Sequence, residues 1–409
     1  MPSPARPLSR PFAFAAVAAV IGLALYASAT PSALYGLYGQ RWHVSTPELT
    51  LVYATYAVGV LASLLLIGGL SDQVGRRPVL LGSLFVLLAA MGLFMVARSV
   101  AWLFAARALQ GLATGAALGA AGAALLDLDQ RGDTEHASLA NGAASACGSG
   151  AGALIAGAMV EFLPDPRVLP FLLVAAFTAL LIVAIGFLPE SVAAPGPPRL
   201  RPQRPRVPVP TRSAFVLAAL GVLASWSVGG LYLALGPQVT SQLVHSQGQL
   251  VGGLAVCLLS VPAALAQLIG RSLSNRTLIG LGASLLALGM ALTVASLSAS
   301  SAVCFLLSAG IAGVGFGLAF MGALRHLSVA IPDGHRGEVM SAFYVVAYVA
   351  ISVPAVLAGF AAPRLGLTET FEIFAGVVIA VALTVGVGGM RIERPERTRA
   401  SARALPETT

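Results

Sequence analysis

The chain has 409 residues, 57% of them hydrophobic and only 10% charged, with a mean hydropathy of +0.87 and a formal net charge of +8. That balance excludes an ordinary soluble domain and a disordered chain, and reads as a protein that crosses a membrane many times. All 24 basic residues are arginine; with the heavy Ala and Gly usage this reflects coding bias, so no phosphate-binding patch and no nucleic-acid partner is expected. Cys147, Cys257 and Cys304 all fall in apolar runs, which implies no disulfide framework.

A bilayer core needs about 20 apolar residues per helix. The first such run covers 12–36. Arg6 and Arg10 precede it and Ala-Ser-Ala stands at 27–29, as in a cleaved export signal, but the run is longer than a signal core and more spans follow, so it reads as a retained helix. Tyr26, Thr30 and Pro31 give it a polar, breakable face. Helix two is expected over 47–70 and helix three over 78–98, with GGLSDQVGRRPVLL at 68–81 joining them. A carboxylate such as Asp72 at a helix C-terminal end is unfavourable unless something positive faces it, here Arg76 or another helix N-terminus. Gly75 allows a tight turn and Gly68 a close helix approach.

Gly68, Leu70, Asp72, Gly75, Arg76, Arg77 and Leu80 stand at G-x-L-x-D-x-x-G-R-R-x-x-L, a spacing that resembles the signature loop of the major facilitator superfamily. The resemblance implies a conformational switch at this loop, with Asp127, at the end of helix four, as a third member of its charge cluster and the start of helix eleven as a further contact of Asp72. Helix four, expected over 101–126, carries Arg107, Gln110 and Gly111, similar to the second signature of that superfamily, R-x-x-Q-G. Arg107, Gln110 and Thr114 share one helical face, and Gly111, Gly115 and Gly119 form a small-residue ridge beside it. Arg107 is the one ionisable residue deep inside an expected span, which implies an aqueous cavity or a partner. The alternative is snorkelling to the outer interface, since it stands only roughly 9 Å along the helix from residue 101.

Helix five, over 138–161, resembles the glycine-rich signature of the drug:proton antiporters of that superfamily, with Gly148 and Gly152 at close-packing spacing. It departs from the pattern where Ser149 follows Gly148, since the antiporters have a Gly-Pro pair; Pro354 in helix eleven supplies the proline in the other half. Helix six is expected over 168–188. The stretch 189–212, rich in proline and arginine, then separates a second set of six runs at 213–236, 249–270, 277–297, 301–323, 339–362 and 370–390. ALIAG at 153–157 recurs as AVLAG at 355–359, late in the fifth helix of each set.

The arginines orient the chain. With a cytoplasmic N-terminus, 19 of the 24 fall on the cytoplasmic side and four, Arg41, Arg98, Arg167 and Arg364, outside. The expected architecture is an all-α membrane protein of 12 transmembrane helices in two six-helix pseudo-repeats, both termini cytoplasmic: an N-terminal bundle over 1–188, a cytoplasmic linker over 189–212, a C-terminal bundle over 213–390 and a cytoplasmic tail over 391–409.

In the fold that the resemblance implies, helices one, four, seven and ten line the cavity, so Tyr26 and Thr30, then Ser225, Trp226 and Tyr232, are candidate substrate contacts, with Tyr348 in helix eleven. All 16 acids lie at helix ends, loops or tails, so any protonation site is peripheral or the carrier is facilitative. No nucleotide, zinc or catalytic-triad motif occurs, and neither a metal nor a catalytic residue is expected. The resulting expectation is a monomeric secondary carrier in the plasma (inner) membrane, not an enzyme and without a cofactor, exporting a small apolar or amphipathic molecule in exchange for protons. Uptake or facilitated diffusion is the alternative, and a non-transporting receptor or scaffold a more distant one.

Overall fold

A computed structural model describes residues 8–129, 134–190, 202, 204–244, 249–332 and 335–390. The tail expected over 391–409, half of the linker (191–201 and 203) and Arg131 lie outside the described residues. Those residues form helices and no strands: α1 (Arg10–Ala29), a 3-10 segment (Thr30–Leu34), α2 (Tyr35–Trp42), α3 (Thr46–Ile67), α4 (Leu70–Val74), α5 (Arg76–Met95), α6 (Val100–Leu128), α7 (Thr134–Phe162), α8 (Leu169–Gly186), α9 (Arg212–Val244), α10 (Gln249–Gly270), α11 (Asn275–Ser298), α12 (Ala302–Ala330), α13 (Arg336–Leu365) and α14 (Leu367–Met390). Among them are twelve stretches long and apolar enough to cross a membrane, Arg10–Trp42 forming the first. The chain is an all-α, multi-pass membrane protein.

Where the helices begin follows local chemistry. Ser45 accepts from the Glu48 amide while Glu48 Oε2 accepts from the Ser45 amide at 2.8 Å, a reciprocal cap at the start of α3. Ser274 and Ser301 cap α11 and α12 in the same way from one side. Three spans overrun the expectation by six residues or more, among them the tenth, which continues past residue 323 to Ala330. The first span continues past residue 36 to Trp42, because Pro31 ends the α1 ladder in a 3-10 turn that α2 then resumes. The seventh runs past residue 236, carrying Pro237 inside the helix.

Six spans pack on one another from α1 to α8 and six from α9 to α14. Within the first set α6 lies against α1, α3 and α5; within the second α12 lies against α9, α10 and α11. The two sets meet along α7 with α10 and along α3 with α13. The repeated pentapeptide marks both seams. A Cβ on Gly157 would stand 2.5 Å from the Gln249 carbonyl oxygen of α10, and one on Gly359 would collide with the Thr50 hydroxyl of α3. Glycine at the end of each ALIAG-type segment therefore lets α7 reach the backbone of α10 and makes room on α13 for the Thr50 side chain of α3.

Glu161, near the C-terminal end of α7, accepts from the Leu250 amide at 2.9 Å, in the first turn of α10. A carboxylate there satisfies an orphan amide and faces the positive end of the helix dipole. With Gly157, Gly359 and the contact of Gly36 with the Gln249 side chain, it closes the seam at the end of the bundle that carries Trp42. Glu161→Ala is expected to loosen this closure without unfolding the chain, since the side chain is exposed and one charged hydrogen bond is worth about 1.5–3 kcal/mol. Thiol-labelling rates of a cysteine introduced at Leu250 should rise; unchanged labelling would show that Glu161 holds nothing.

Candidate functional site

Two charge-bearing centres lie in the first six-helix set. The first is built on the loop between α3 and α5. Gly75 has φ 108°, a conformation open to glycine, and turns the chain so that α5 begins with Arg76. The Arg76 guanidinium donates to Asp127 Oδ2 at 3.1 Å and to Ser71 Oγ at 2.8 Å, and it pairs with Asp72. Asp127 comes from the last turn of α6, so one guanidinium ties α4, α5 and α6 together.

Glu190 completes this centre and was not singled out in the sequence. Its two carboxylate oxygens accept from the Arg76 and Arg77 amides at 2.8 and 3.1 Å, capping α5 from the segment that follows α8. A side chain on Gly75 would displace this carboxylate from the cap, so the glycine serves the cap as well as the φ. The available signal was a carboxylate directly after the last apolar residue of helix six. The contact of Asp72 with the start of helix eleven, expected for the state closed at the loop end, is not made in this structure. Asp72 pairs with Arg76, its carboxylate is 65% exposed, and no described ion pair joins it to α13. The physical reason is that the close backbone approaches between the two sets lie at the opposite, Trp42, end of the bundle.

The second centre surrounds Arg107, whose side chain is fully buried and does not run out to the interface. Its Nη1 donates to the Ser28 carbonyl at 2.9 Å and to Gln110 Oε1 at 2.8 Å, while Nε and Nη2 both donate to the Tyr35 hydroxyl, at 3.1 and 2.5 Å. Gln110 in turn donates to the Ala27 carbonyl at 2.7 Å. These two carbonyls are available for a reason written in helix one. Pro31 has no N–H to give Ala27, and the 3-10 turn at Thr30–Leu34 shifts the ladder away from Ser28. The R-x-x-Q pair of α6 thus satisfies the backbone groups that the break exposes inside the membrane, where water cannot.

The rings of Tyr35, Tyr53 and Tyr56 stand 5.5, 6.0 and 5.5 Å from the guanidinium carbon, in cation–π range. No carboxylate pairs with Arg107 among the described residues. Thr114, on the same face, is fully buried.

The glycines on α6 divide. Gly111 lies against the Tyr56 carbonyl and Gly115 against Val60 and Ser63, so α3 and α6 touch backbone to backbone there. Gly119, expected on the same ridge, has nothing within 4 Å of its Cβ position, because the close crossing is confined to the first two. Gly148 and Gly152 place α7 directly on the Gly22 and Tyr26 carbonyls of α1. Pro354 frees the Ala350 carbonyl of α13, which accepts from Ser227 of α9 at 3.1 Å.

The substrate candidates are scattered. Trp226 and Tyr348 meet at the seam, rings 5.5 Å apart, in a cluster with Tyr56, Ala57 and Val60 of α3. Three others lie outside that cluster. Tyr232 is buried within the second set and shares a hydrogen bond with Thr293 at 3.1 Å; Ser225 and Thr30 are fully buried and bond to carbonyls of their own helices. Tyr26 is half-buried, with its carbonyl under Gly152. Gly68 is the C-cap of α3.

A family model described as the Major Facilitator Superfamily matches residues 12–355. No curated protein matches the chain. Among solved structures the chain is similar to the nucleoside transporter NupG at TM-score 0.73 and 11% identity, covering 92% of this chain and 99% of that one. It is similar to a POT family transporter in complex with 5-aminolevulinic acid at TM-score 0.74 and 15% identity, over 95% and 97%. It is also similar to the peptide transporter POT in complex with alafosfalin at TM-score 0.75 and 16% identity, over 94% and 95%.

Proposed function

Because the chain belongs to the Major Facilitator Superfamily, and is therefore a membrane transporter and not an enzyme, we propose that it exports a small amphipathic molecule by alternating access in exchange for protons. The observation that carries the alternating-access part is the asymmetry of the seam. The Trp42 end is closed by Glu161, Gly157 and Gly359, while at the other end Asp72 stands exposed and the hydrogen bonds of Arg76 described above join helices of the first set. The arginine distribution supports placing the chain ends and the loop on the cytoplasmic side of the plasma membrane, which makes this a cytoplasm-facing state. When the seam closes at the loop end, Asp72 comes within reach of α13.

Export with proton exchange rests on the glycine-rich α7, similar to the antiporter signature except that Ser149 stands where the antiporters have proline, together with the R-x-x-Q pair, which is similar to a signature of the superfamily as a whole. A facilitative carrier, in either direction, is the second reading, favoured by the placement of every described carboxylate at a helix end or in a loop. Flux that persists unchanged when the pH gradient is collapsed would select it.

Alternation itself can be read without knowing the substrate. Spin labels at Phe162 and Ser298, both exposed at the Trp42 end, should report two separations whose populations shift with pH. Asp72→Asn should keep the protein folded, since an exposed ion pair is worth about 0–1 kcal/mol, yet deplete the population open at the Trp42 end. One invariant separation under all conditions would overturn the carrier reading.

A further inference from the structure

We propose that the substrate is a planar aromatic acid, bound at the seam with its ring against Trp226 and Tyr348 and its anionic oxygen on the Trp226 Nε1–H. This rests on the carrier reading and names the class of its cargo. Trp226 projects from α9 at the middle of the contact between the two helix sets. Its ring lies edge-on to Tyr348 at 5.5 Å and tilted against Phe320 at 5.6 Å, and it packs on the cluster that Tyr348 forms with Tyr56, Ala57 and Val60 of the opposite set.

The Nε1–H of Trp226 is buried and has no acceptor. An indole nitrogen is a donor only, and buried donors in native structures nearly always have partners. Among the described residues no group accepts from it, and the donor sits where the two sets separate during alternation. A substrate oxygen is the fitting acceptor. The surrounding rings favour a flat aromatic body, which stacks or packs edge to face with partners 4.5–7 Å away in centroid distance.

Charge decides between an acid and a base. The Arg107 guanidinium carbon stands 5.5 Å from the Tyr56 ring of that cluster, and its hydrogen-bond partners among the described residues are all neutral: two hydroxyl or amide oxygens and one carbonyl. An uncompensated cation in a low-dielectric interior makes the adjoining seam positive. Organic anions are attracted there and ammonium ions repelled. No described carboxylate lies near enough to pair with Arg107 and cancel that field.

The experiment uses the full-length protein in lipid nanodiscs and tritiated naphthoate as probe. Unlabelled naphthylmethylammonium, which keeps the ring and inverts the charge, and cyclohexanecarboxylate, which keeps the charge and removes the aromatic ring, serve as competitors. Saturable naphthoate binding is expected, displaced by neither competitor at equal concentration. Trp226→Phe keeps an aromatic ring and removes the N–H, and should weaken binding about tenfold, the scale of one hydrogen bond to a charged group. Equal binding in wild type and Trp226→Phe, tighter binding of the ammonium compound, or no naphthoate binding would each overturn the proposal. The spin-label separations stand apart from this result. A protein that alternates but ignores naphthoate loses the aromatic acid and keeps the carrier reading, whereas one frozen in a single state loses the carrier reading whatever it binds.

Discussion

Arg107→Ala is expected to abolish proton-linked flux in liposomes and to lower the stability of the first helix set by about 3 kcal/mol or more. The stability loss follows from what the guanidinium satisfies. Deleting it strands the Ser28 carbonyl and the Tyr35 hydroxyl in a dry interior, and each buried polar group without a partner costs about 1–3 kcal/mol. Three tyrosine rings also lose the cation between them. Arg107→Lys keeps the charge but not the planar fork that reaches Ser28, Gln110 and Tyr35 together, so it should recover part of the stability and at most part of the flux. Melting temperature and flux across an imposed pH gradient, measured on both variants, check this. If both carry at the wild-type rate, Arg107 is not the coupling residue and the facilitative reading moves ahead.

Gly111→Ala is expected to be nearly as damaging, and Gly119→Ala, two turns further along the same helix, to be silent. A Cβ on Gly111 would strike the Tyr56 carbonyl and sit 3.0 Å from the Gly59 Cα, so backbone must yield, not a side-chain tip. Overpacking of this kind costs about 1–3 kcal/mol. It would also push Tyr56 off Arg107 and disturb the aromatic seam at Trp226, so transport should fall further than stability alone predicts. At Gly119 the added methyl meets nothing, and the better helix propensity of alanine leaves stability within about 0.5 kcal/mol of wild type or slightly above it. Thermal melting of the two purified variants separates them. Equal melting temperatures would mean that α3 and α6 do not cross as closely as the structure has them.

That pair shows where reading the sequence stops. Gly111, Gly115 and Gly119 share one spacing and one helix face, and periodicity treats them alike. Only the crossing point with α3, set by how two whole helices lean on each other, tells which glycine is compressed. The substrate candidates divided for the same reason. Trp226 and Tyr232 lie on one helix, yet one faces the seam and the other bonds to Thr293 inside its own set.

The twelve spans, the loop at 68–80 and the signature on helix four were all legible in the sequence, because each depends on chemistry local to the chain: the length of an apolar run, the turn that Gly75 permits, the scarcity of charge inside a span. Thr30 and Pro31 likewise announced a weak point in helix one, and Arg107 and Gln110 a polar face on helix four. That the second repairs the first was decided only in the tertiary structure. So was Glu190, 114 positions from the amide of Arg76 that it caps, and the Glu161 cap on α10, 89 positions away. The physical reason is that buried polar groups must find partners wherever packing brings them. A broken helix exposes its carbonyls locally, but the donors that satisfy them arrive from whichever helix lies alongside.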